Sequence, residues 1–469
     1  MTLPQRIFGI ETEYGITCAA AQVQSEVKPP LDAQAAADVL FAPIVAEHNA
    51  TNVFLPNGAR LYLDVGAHPE YATAECDSLQ DLLLNDRAGD EIFAQLAQKA
   101  NAYLEQKGIA GRIHLFKNNH DYLGNSFGCH ENYLIRRRRD YREKIASLVP
   151  FFVTRQILVG AGYLYLGREN VREAHFEISQ RATQTFDAVS NSSTRSRPMV
   201  NTRDEPHGDA ELYRRMHVIV GDSNISQTTA ALKIAMTQAV LNVLEVGGKL
   251  PDFTLAYPIH AIRQVSLDLS GKARVELRDG REITALEIQR GYFMAVMQCY
   301  EAQGWLTELD PIQSYAFELW ERALNAFDAA AFDKIETEIE WLAKRKLLET
   351  YRARLDCGYD DLRLARIDLA WHDITDGGLR SEIEASGRLQ QLLHRQDIVT
   401  AQTIPPQTTR AKVRGDFIAA AMDTRHDFFA DWQSLKLIHN DYARSVLLKD
   451  PFESSNAEVL AMIDQMETI

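Results

Sequence analysis

Apolar and polar residues alternate along two short stretches of the chain, residues 6–17 and 57–75. A period of two residues is typical of a β-strand that has one face in the core and one face outside it. In the first stretch, Glu11 and Glu13 lie on the face opposite the apolar side chains, roughly 6.5–7 Å apart along the strand. The apolar face comprises Phe8, Ile10, Tyr14 and Ile16. The stretch therefore predicts a strand that presents two carboxylates on one face.

The second stretch also separates an apolar face from a chemically varied one. The predicted core side consists of Leu61, Leu63 and Val65. The opposite side holds a cation, a phenol and an acid: Arg60, Tyr62 and Asp64. Further polar residues follow directly, namely His68, Glu70 and Thr73. An ordinary half-exposed strand also alternates, so either stretch alone is compatible with a plain surface strand. The two stretches together favour the floor of a metal–nucleotide site.

The rest of the chain predicts helices interleaved with short strands. Helices are expected at 78–106, 228–246, 328–354 and 411–421. Strands are expected at 112–117, 126–135, 216–220 and 431–437, with a hairpin at 275–284. Strands that carry the site, with helices packed behind them, indicate an α+β fold. Pro405 and Pro406 predict a break between a domain of residues 1–404 and a small domain of residues 405–469.

Composition narrows the class of protein. The chain has 469 residues, of which 46% are apolar and 25% charged, as in ordinary globular proteins. Its formal net charge of −15 argues against general nucleic-acid binding, because phosphate contacts need clustered lysine and arginine. No apolar run is long enough for a membrane span, and none follows Met1 as a signal peptide. Five scattered cysteines suit reduced thiols. We therefore expect a cytoplasmic protein with no nucleic-acid and no membrane partner.

Familiar active-site motifs are absent or out of context. The chain has neither the GxxxxGK[ST] loop nor the GxGxxG turn, so a nucleotide would be held in another way. Residues 124–128 match GxSxG, but the residues that follow alternate as in a strand, whereas a nucleophile elbow needs a helix there. Cys129 and His130 then point to opposite faces, which disfavours a Cys–His dyad. His130 and Asn132 share a face that could reach a ligand, and His217 is either a core histidine or a ligand.

The polar residues of the two stretches suit a hard divalent cation. Carboxylates with a phenol and no thiol favour Mg²⁺ or Mn²⁺ over structural zinc. Glu11, Glu13 and Glu70 supply the acidic groups needed by a metal pair that bridges nucleotide phosphates. Arg60 can bind phosphate as a planar fork, and Asp64 lies where a general base for an incoming amine belongs. Further positive charge for a transferred phosphoryl group is available at Arg195, Arg197 and Arg203.

Long literal strings in the chain resemble the Pup–protein ligase family of carboxylate–amine ligases. The strings are IETEYG, NGARLYLDVGAHPEYATAECDS, LFKNN, NSFGCHENYL, TRSRPMVNTRDEPH, HVIVGDSN, PPQTTRA, DWQSLKL and KDPF. They run from the first ten residues to about Phe452. The resemblance implies a glutamine-synthetase-like fold, in which a curved antiparallel sheet packs against helices, plus a small C-terminal domain.

The same resemblance implies an ATP-dependent ligase. The γ-carboxylate of the C-terminal glutamate of Pup, a small acidic protein, would first take the γ-phosphoryl group of ATP. A lysine ε-amine of a target protein would then attack the acyl phosphate. The resulting isopeptide bond would mark the target for proteasomal degradation.

The resemblance also implies roles for individual residues. The implied Mg²⁺ positions are Glu11, Tyr62 and Glu70, and the geometry of the first strand adds Glu13. Asp64 falls on the proton acceptor of the family. The implied ATP-contacting positions are Arg60, Thr73 and Trp432.

Three alternatives stay open. A sister enzyme of the same fold deamidates Pup and removes it from proteins, but it carries a long extra loop where only about forty residues separate Gly15 from Asn57 here. A small-molecule γ-glutamyl ligase would need a closed pocket rather than an open groove. A scaffold that binds Pup without turnover would not need the full set of site residues. Because Pup and this chain are both acidic, docking needs a locally basic or apolar groove, for which residues 136–139 are one candidate.

Overall fold

A computed structural model of the chain describes residues 2–20, 29–64, 66–122, 124–167, 172–192, 196–439 and 443–468. The strands are β1 (Phe8–Glu13), β2 (Gly15–Ala20), β3 (Asn52–Phe54), β4 (Arg60–Asp64), β5 (His68–Ala72), β6 (Gly111–Phe116), β7 (Cys129–Arg136), β8 (Tyr163–Tyr165), β9 (His175–Glu177), β10 (Asp187–Ser190), β11 (Pro198–Asn201), β12 (Tyr213–Val218), β13 (Arg274–Glu276), β14 (Glu282–Thr284), β15 (Asp427–Ala430), β16 (Ser434–Ile438) and β17 (Ala443–Leu447). The α-helices are α1 (Ala33–His48), α2 (Leu79–Gln106), α3 (Tyr141–Val159), α4 (Gln227–Glu245), α5 (Pro258–Leu267), α6 (Ala285–Gln303), α7 (Pro311–Ala329), α8 (Glu340–Leu355), α9 (Leu362–His372), α10 (Arg380–Ala385), α11 (Arg395–Ala401), α12 (Arg410–Asp423) and α13 (Ala457–Thr468).

Eight strands form the main sheet, in the order β10-β11-β12-β7-β1-β5-β4-β3. Neighbouring strands are antiparallel except β10 and β11, which are parallel. The alternation predicted for the first stretch is confirmed, because Phe8, Ile10 and Thr12 are buried whereas Glu11 and Glu13 are partly exposed. The predicted α+β class, a largely antiparallel sheet packed against helices, is also confirmed.

Helices α3 to α7 form the main core together with the apolar face of this sheet. The Ser226 side chain begins α4 by accepting a hydrogen bond from the Thr229 backbone N–H, as is typical of a helix N-cap. Nearly every residue of α4 is buried, which is expected for a helix that is covered on all sides. The helix predicted at 228–246 is therefore confirmed. Within the described ranges, no helix combines the length and apolar character needed to cross a membrane.

The C-terminal elements have a small core of their own. Helices α12 and α13 pack against one face of the three-stranded sheet β15-β16-β17. Phe417, Leu437 and Met462 are buried in this cluster, and Phe54 of β3 joins it from the main sheet. The division of the chain at residues 404 and 405 stays a prediction, because Phe54 links the two parts of the chain through one cluster.

Two of the predicted elements differ in extent from the observed ones. The helix expected at 328–354 is interrupted between α7 and α8, because Ala330 adopts a left-handed conformation with φ of 52°. The Glu338 carbonyl then accepts hydrogen bonds from the Thr228 and Thr229 hydroxyls, which fixes the interruption against α4.

The strand expected at 431–437 begins only at Ser434 as β16, because residues 431–433 form a turn. The Asp431 carboxylate accepts hydrogen bonds from the backbone N–H groups of Gln433 and Ser434, each at 2.7 Å, and thereby forms the turn between β15 and β16.

In the second polar stretch, Leu61 is buried as predicted and Leu63 is partly buried, whereas Val65 lies outside the described residues.

Candidate active site

Strand register brings the polar residues of β1, β4 and β5 together. Glu13 of β1 is directly opposite Glu70 of β5, and Glu70 is directly opposite Tyr62 of β4. Opposed residues on antiparallel strands point to the same face, with Cβ atoms about 5 Å apart. The three side chains therefore form a row across three adjacent strands. Asp64 and His68 are the opposed pair next to that row.

The Glu70 cluster consists of Glu13, Asp64 and Glu70, whose carboxylates each offer an oxygen within 4.8 Å of the others. Glu70 is only 3% exposed, whereas Asp64 is open to solvent. The backbone N–H of Gly128 donates to Glu13 Oε2 at 2.7 Å. Burial, together with the negative charges of Glu11 and Glu13, raises the pKa of Glu70 to about 8. The cluster holds more negative charge than its surroundings neutralise, which is the electrostatic setting of a cation site.

Tyr62 lies beside this cluster as a neutral phenol. Its hydroxyl donates a hydrogen bond to Glu70. Burial, with the charges of Glu11 and Glu70, raises the pKa of Tyr62 well above its usual value, so the phenol keeps its proton. The Arg60 guanidinium lies 4.3 Å from the centre of the Tyr62 ring, and Arg60 Nε donates to Asn52 Oδ1 at 2.8 Å. Tyr62 thus orients Glu70, and Arg60 packs over Tyr62.

The Glu11 cluster consists of Glu11, His130 and His217, which also offer ligand atoms within 4.8 Å of one another. His130 Nδ1 lies 3.1 Å from Glu11 Oε2, and His217 Nε2 lies 3.7 Å from the same oxygen. Burial lowers the pKa of His217 to about 3, so its ring is neutral and can act as a metal ligand. Burial opposes ionisation of Glu11, but its contacts with the histidines and with Arg215 outweigh burial and lower the pKa of Glu11. Of the two interpretations of His217, its position beside Glu11 favours the ligand.

Arg215 is a further cation of the site, which the sequence alone did not indicate. Its guanidinium lies 3.5 Å from Glu11 Oε1 and donates to Asn132 Oδ1 at 3.0 Å, while Asn132 Nδ2 donates to Glu11 Oε1 at 3.1 Å. Arg215 and His217 are two residues apart on β12 and share a face. That spacing was visible in the sequence. The pairing of β12 with β7, which places this face next to Glu11, depends on tertiary structure.

The arginines that the sequence suggested for a phosphoryl group have other partners. Arg197 donates to Gln184 Oε1 at 2.9 Å. Arg203 pairs with Glu205 and leaves 66% of its side chain exposed. Arg195 lies outside the described residues. Their proposed role stays a prediction, and Arg215 supplies a cation in direct contact with the Glu11 cluster.

A pocket, which we call the Trp432 pocket, opens beside the Glu11 cluster. Its charged lining includes Glu11 and Arg215, and its other walls are largely apolar: Ile7, Phe8, Gly9, Ile10, Ala72, Ala74, Leu134, Pro206, Trp432 and Pro451. Thr73 also lines the pocket, and its Oγ1 accepts a hydrogen bond from the Ile10 N–H at 3.0 Å. The lining suits a ligand with a flat apolar part and an anionic part. Of the predicted ATP contacts, Thr73 and Trp432 line this pocket and Arg60 does not.

Three further polar lining residues were not singled out from the sequence, Glu75, His207 and Arg410. The His207 ring lies 6.1 Å from the Trp432 ring. Burial and the neighbouring Arg215 lower the pKa of His207 to about 4, so this ring is also neutral. His207 belongs to a loop and Arg410 begins α12, so neither has the strand periodicity that identified the carboxylates.

Comparison with known proteins gives full-length matches. The family model described as Pup-ligase protein matches residues 6–436. The Pup–protein ligase of Xylanimonas cellulosilytica is 46% identical over 468 residues, which cover 99% of this chain and 100% of that protein. The Pup–protein ligase of Kineococcus radiotolerans is 46% identical over 466 residues, which cover 99% of this chain and 100% of that protein.

Two solved structures are also similar over nearly the whole chain. The crystal structure of the complex between the prokaryotic ubiquitin-like protein Pup and its ligase PafA has a TM-score of 0.92 and 39% identity, covering 100% of this chain and 92% of that one. The structure of the Pup ligase PafA in complex with ADP has a TM-score of 0.83 and 38% identity, covering 95% of this chain and 96% of that one.

Proposed function

The chain belongs to the Pup-ligase family, and we propose that it is an ATP-dependent ligase that joins Pup to lysine side chains of target proteins. One observation carries this proposal: the Trp432 pocket adjoins the Glu11 cluster, and the Glu70 cluster lies on the same face of the sheet. Such a site can hold a nucleotide and expose its terminal phosphate to a second substrate. The similar ligase structure in complex with ADP supports nucleotide use by this chain.

ATP occupies the Trp432 pocket in this proposal. The base packs against Trp432, because aromatic rings and nucleobases stack with a favourable contact area. The phosphates lie toward Arg215 and the Glu11 cluster, where a guanidinium can pair with phosphate oxygens. Thr73 contacts the nucleotide from β5. Arg60 stays a proposed ATP contact on β4, outside the pocket lining.

The donor atoms of the site fit divalent cations. The Glu70 cluster offers only oxygen ligands, which suit Mg²⁺, and the raised pKa of Glu70 reflects the lack of a neutralising charge. Glu11 with two imidazoles offers a second, mixed set of ligands. Tyr62 stays a proposed Mg²⁺ position beside Glu70. When bound, Mg²⁺ would offset the charge of the phosphates and favour transfer of the γ-phosphoryl group.

The proposed reaction has two steps. A carboxylate oxygen is a poor leaving group from carbon, so the carboxylate is first activated. The γ-carboxylate of the C-terminal glutamate of Pup attacks the γ-phosphorus of ATP, which releases ADP and leaves an acyl phosphate. The lysine ε-amine then attacks the acyl carbon, phosphate leaves, and an isopeptide bond remains. Arg215 stabilises the negative charge on the transferred group.

Asp64 is the proposed general base for the second step. A lysine amine is protonated at neutral pH and must lose a proton before it attacks. Asp64 is the exposed member of the Glu70 cluster, so a lysine that arrives from solvent meets it first. Its carboxylate attracts the ammonium group and then accepts the proton. Glu70, being buried, suits the metal instead.

The decisive experiment is a conjugation assay. The protein is incubated with ATP, Mg²⁺, a lysine-bearing target and Pup that ends in glutamate, and the products are followed by intact mass and by ADP release. We expect one conjugate whose mass equals Pup plus target minus water, with one ADP per bond. Asp64→Asn should slow conjugation roughly 10²-fold or more, the usual contribution of a general base.

Asp279→Asn is the matched control. Asp279 is an exposed aspartate in the β13–β14 turn that pairs with Arg281, and the substitution changes the charge by the same amount. This variant should conjugate at the wild-type rate. If Pup ending in glutamine is deamidated, or a ready-made conjugate is cleaved, while no conjugate forms, the chain acts as the sister hydrolase and the ligase proposal is wrong.

A further inference from the structure

We propose that Arg414 is a positioning residue for nucleotide binding, which acts by holding Trp432 at the wall of the pocket. Arg414 is fully buried in α12 and does not line the Trp432 pocket, so it acts on a nucleotide only through its neighbours. The inference rests on the ATP site of the proposed function. It adds a residue whose effect concerns the base end of the nucleotide.

Arg414 contacts Trp432 in two ways. One guanidinium nitrogen donates to the Trp432 carbonyl oxygen at 3.3 Å. The guanidinium carbon also lies 5.1 Å from the centre of the Trp432 ring and 5.0 Å from the centre of the Phe54 ring. Phe54 and Trp432 meet edge to face with centroids 4.9 Å apart. The backbone and the ring of Trp432 are thus fixed by one side chain and its aromatic neighbour.

Arg414 is itself anchored to the main sheet region. It binds both carboxylate oxygens of Glu75, which is 8% exposed, and it donates to the Gly58 carbonyl oxygen at 2.9 Å. Gly58 has φ of +80°, and a Cβ there would lie 3.0 Å from Cβ of Ala411. The absence of a side chain at Gly58 therefore lets this carbonyl approach α12 closely. The position of Trp432 is coupled in this way to the strands that carry the site.

The same carboxylate also fixes the other aromatic part of the wall. Arg410 Nε donates to Glu75 Oε1 at 2.8 Å, and a second Arg410 nitrogen donates to the His207 carbonyl oxygen. Gln433 Nε2 donates to the next carbonyl, that of Gly208, at 3.0 Å. Glu75 thus connects both residues that flank the base end, Trp432 through Arg414 and His207 through Arg410.

The network orients Trp432 more than it stabilises the fold. A buried ion pair contributes little net stability relative to apolar side chains of the same volume, because both charges lose their hydration. A planar guanidinium, in contrast, can bind a carboxylate, a carbonyl and an aromatic face in one fixed geometry. A lysine at position 414 would keep the charge but not this geometry. The network therefore specifies where the Trp432 ring lies.

The test compares two ligands that differ in the base. ADP with Mg²⁺ contacts both ends of the pocket, whereas inorganic tripolyphosphate with Mg²⁺ contacts only the charged end. We expect Arg414→Lys and Arg414→Met to weaken ADP binding roughly tenfold, as for the loss of a charge-assisted hydrogen bond. Tripolyphosphate affinity should change less than twofold. In turnover, KM for ATP should rise while KM for Pup stays the same. Calorimetric titration of the full-length chain measures both affinities.

Arg380→Met is the control for a general loss of stability. Arg380 is a buried arginine that pairs with Asp90 at 2.8 Å and does not line the Trp432 pocket. It should lower the unfolding temperature without changing the ADP affinity. Equal losses of ADP and tripolyphosphate binding in Arg414→Lys, or no loss of either, would overturn the proposal.

A double-mutant cycle keeps the test decisive if Arg414→Met does not fold. When Arg414 acts through Trp432, the effects of Arg414→Lys and Trp432→Ala on ADP affinity are not additive. Additive effects contradict the proposal. A wild-type protein that binds ADP in this Arg414-dependent way but forms no Pup conjugate would contradict the proposed function and leave this inference standing.

Discussion

Glu70 is the most buried carboxylate of the two clusters. It is 3% exposed, it lies opposite Glu13 across one strand pair, and Tyr62 supplies a single hydrogen bond from the other side. Burial and the negative charges of Glu11 and Glu13 raise its pKa from an ordinary 4.5 to about 8. A bound cation would offset these negative charges and favour the ionised form of Glu70.

Glu70→Gln should stabilise the metal-free protein in a pH-dependent way. The folded state binds the proton of Glu70 up to about pH 8, whereas the unfolded state releases it near 4.5. As the pH rises from 4.5 to about 8, the free energy of unfolding of the wild type therefore decreases relative to that of the variant. In EDTA, we expect the unfolding temperature of Glu70→Gln to exceed that of the wild type at pH 8 and to equal it at pH 5. With Mg²⁺ added, the order at pH 8 should reverse.

The control for that comparison is Glu301→Gln, an exposed glutamate of α6. It should follow the wild type at both pH values and respond to Mg²⁺ in the same way. A constant difference between Glu70→Gln and the wild type from pH 5 to pH 8 would show that Glu70 is not held near like charges. Loss of Mg²⁺ stabilisation in the control would mean that the metal acts elsewhere.

Some side chains of the site can be predicted from a local sequence pattern, and others cannot. Glu11, Glu13, Tyr62 and Glu70 lie on strands whose period of two places them on one face, and the structure brings them together there. Arg215 follows the same period, but its partner strand β7 lies about eighty residues earlier in the chain. Strand order is decided by the packing of the whole sheet, so no local pattern could place this arginine beside Glu11.

The extent of helices and strands is also predicted only in part by local sequence patterns. Helix α4 was predictable because its cap and its apolar residues are local, whereas the break between α7 and α8 depends on hydroxyl groups of α4 that bind the Glu338 carbonyl. The residues 431–437 alternate as in a strand, yet the Asp431 carboxylate closes a turn within them. Tertiary contacts and side-chain hydrogen bonds override periodicity at these two places.

Helix α12 is joined to the main sheet region by a buried charge. Burial opposes ionisation of Glu75, but the guanidiniums of Arg414 and Arg410 outweigh it and lower the pKa of Glu75 to about 2. Glu75→Gln leaves both arginines without their carboxylate, so we expect the free energy of unfolding to decrease by about 3 kcal/mol at pH 7. The Glu75 contribution is present above its ordinary pKa of 4.5 and is lost as the pH falls toward 2.

The measurement is the difference in unfolding temperature between the wild type and Glu75→Gln at pH 7 and at pH 3.5. The difference should be large at pH 7 and smaller at pH 3.5. Glu301→Gln again serves as the control and should show no difference at either pH. An equal difference at both pH values would mean that the ion pairs with α12 do not hold Glu75 in its charged form.

The molecule as a whole is organised around a pocket that two parts of the chain build together. Strands β1, β5 and β7 supply one set of lining residues, and Arg410, Trp432 and Pro451 supply another. A ligand that fills such a pocket binds only when both sets are in place. Its binding free energy therefore stabilises the C-terminal elements as well as the sheet.

Hydrogen exchange can measure this coupling along the whole chain. With Mg²⁺ and ADP at a hundred times the dissociation constant, the folded state gains about 2.7 kcal/mol. We expect amide exchange to slow in β1 and β5, and equally in α12 and the turn at residues 431–433. In Trp432→Ala the ligand keeps its contacts with the sheet but loses the Trp432 ring, so only Arg410 and Pro451 of the C-terminal elements still line its pocket. Protection should then persist in β1 and decrease in α12. If the wild type shows protection in the sheet alone, the nucleotide does not reach Trp432, and the base end of the site must lie elsewhere.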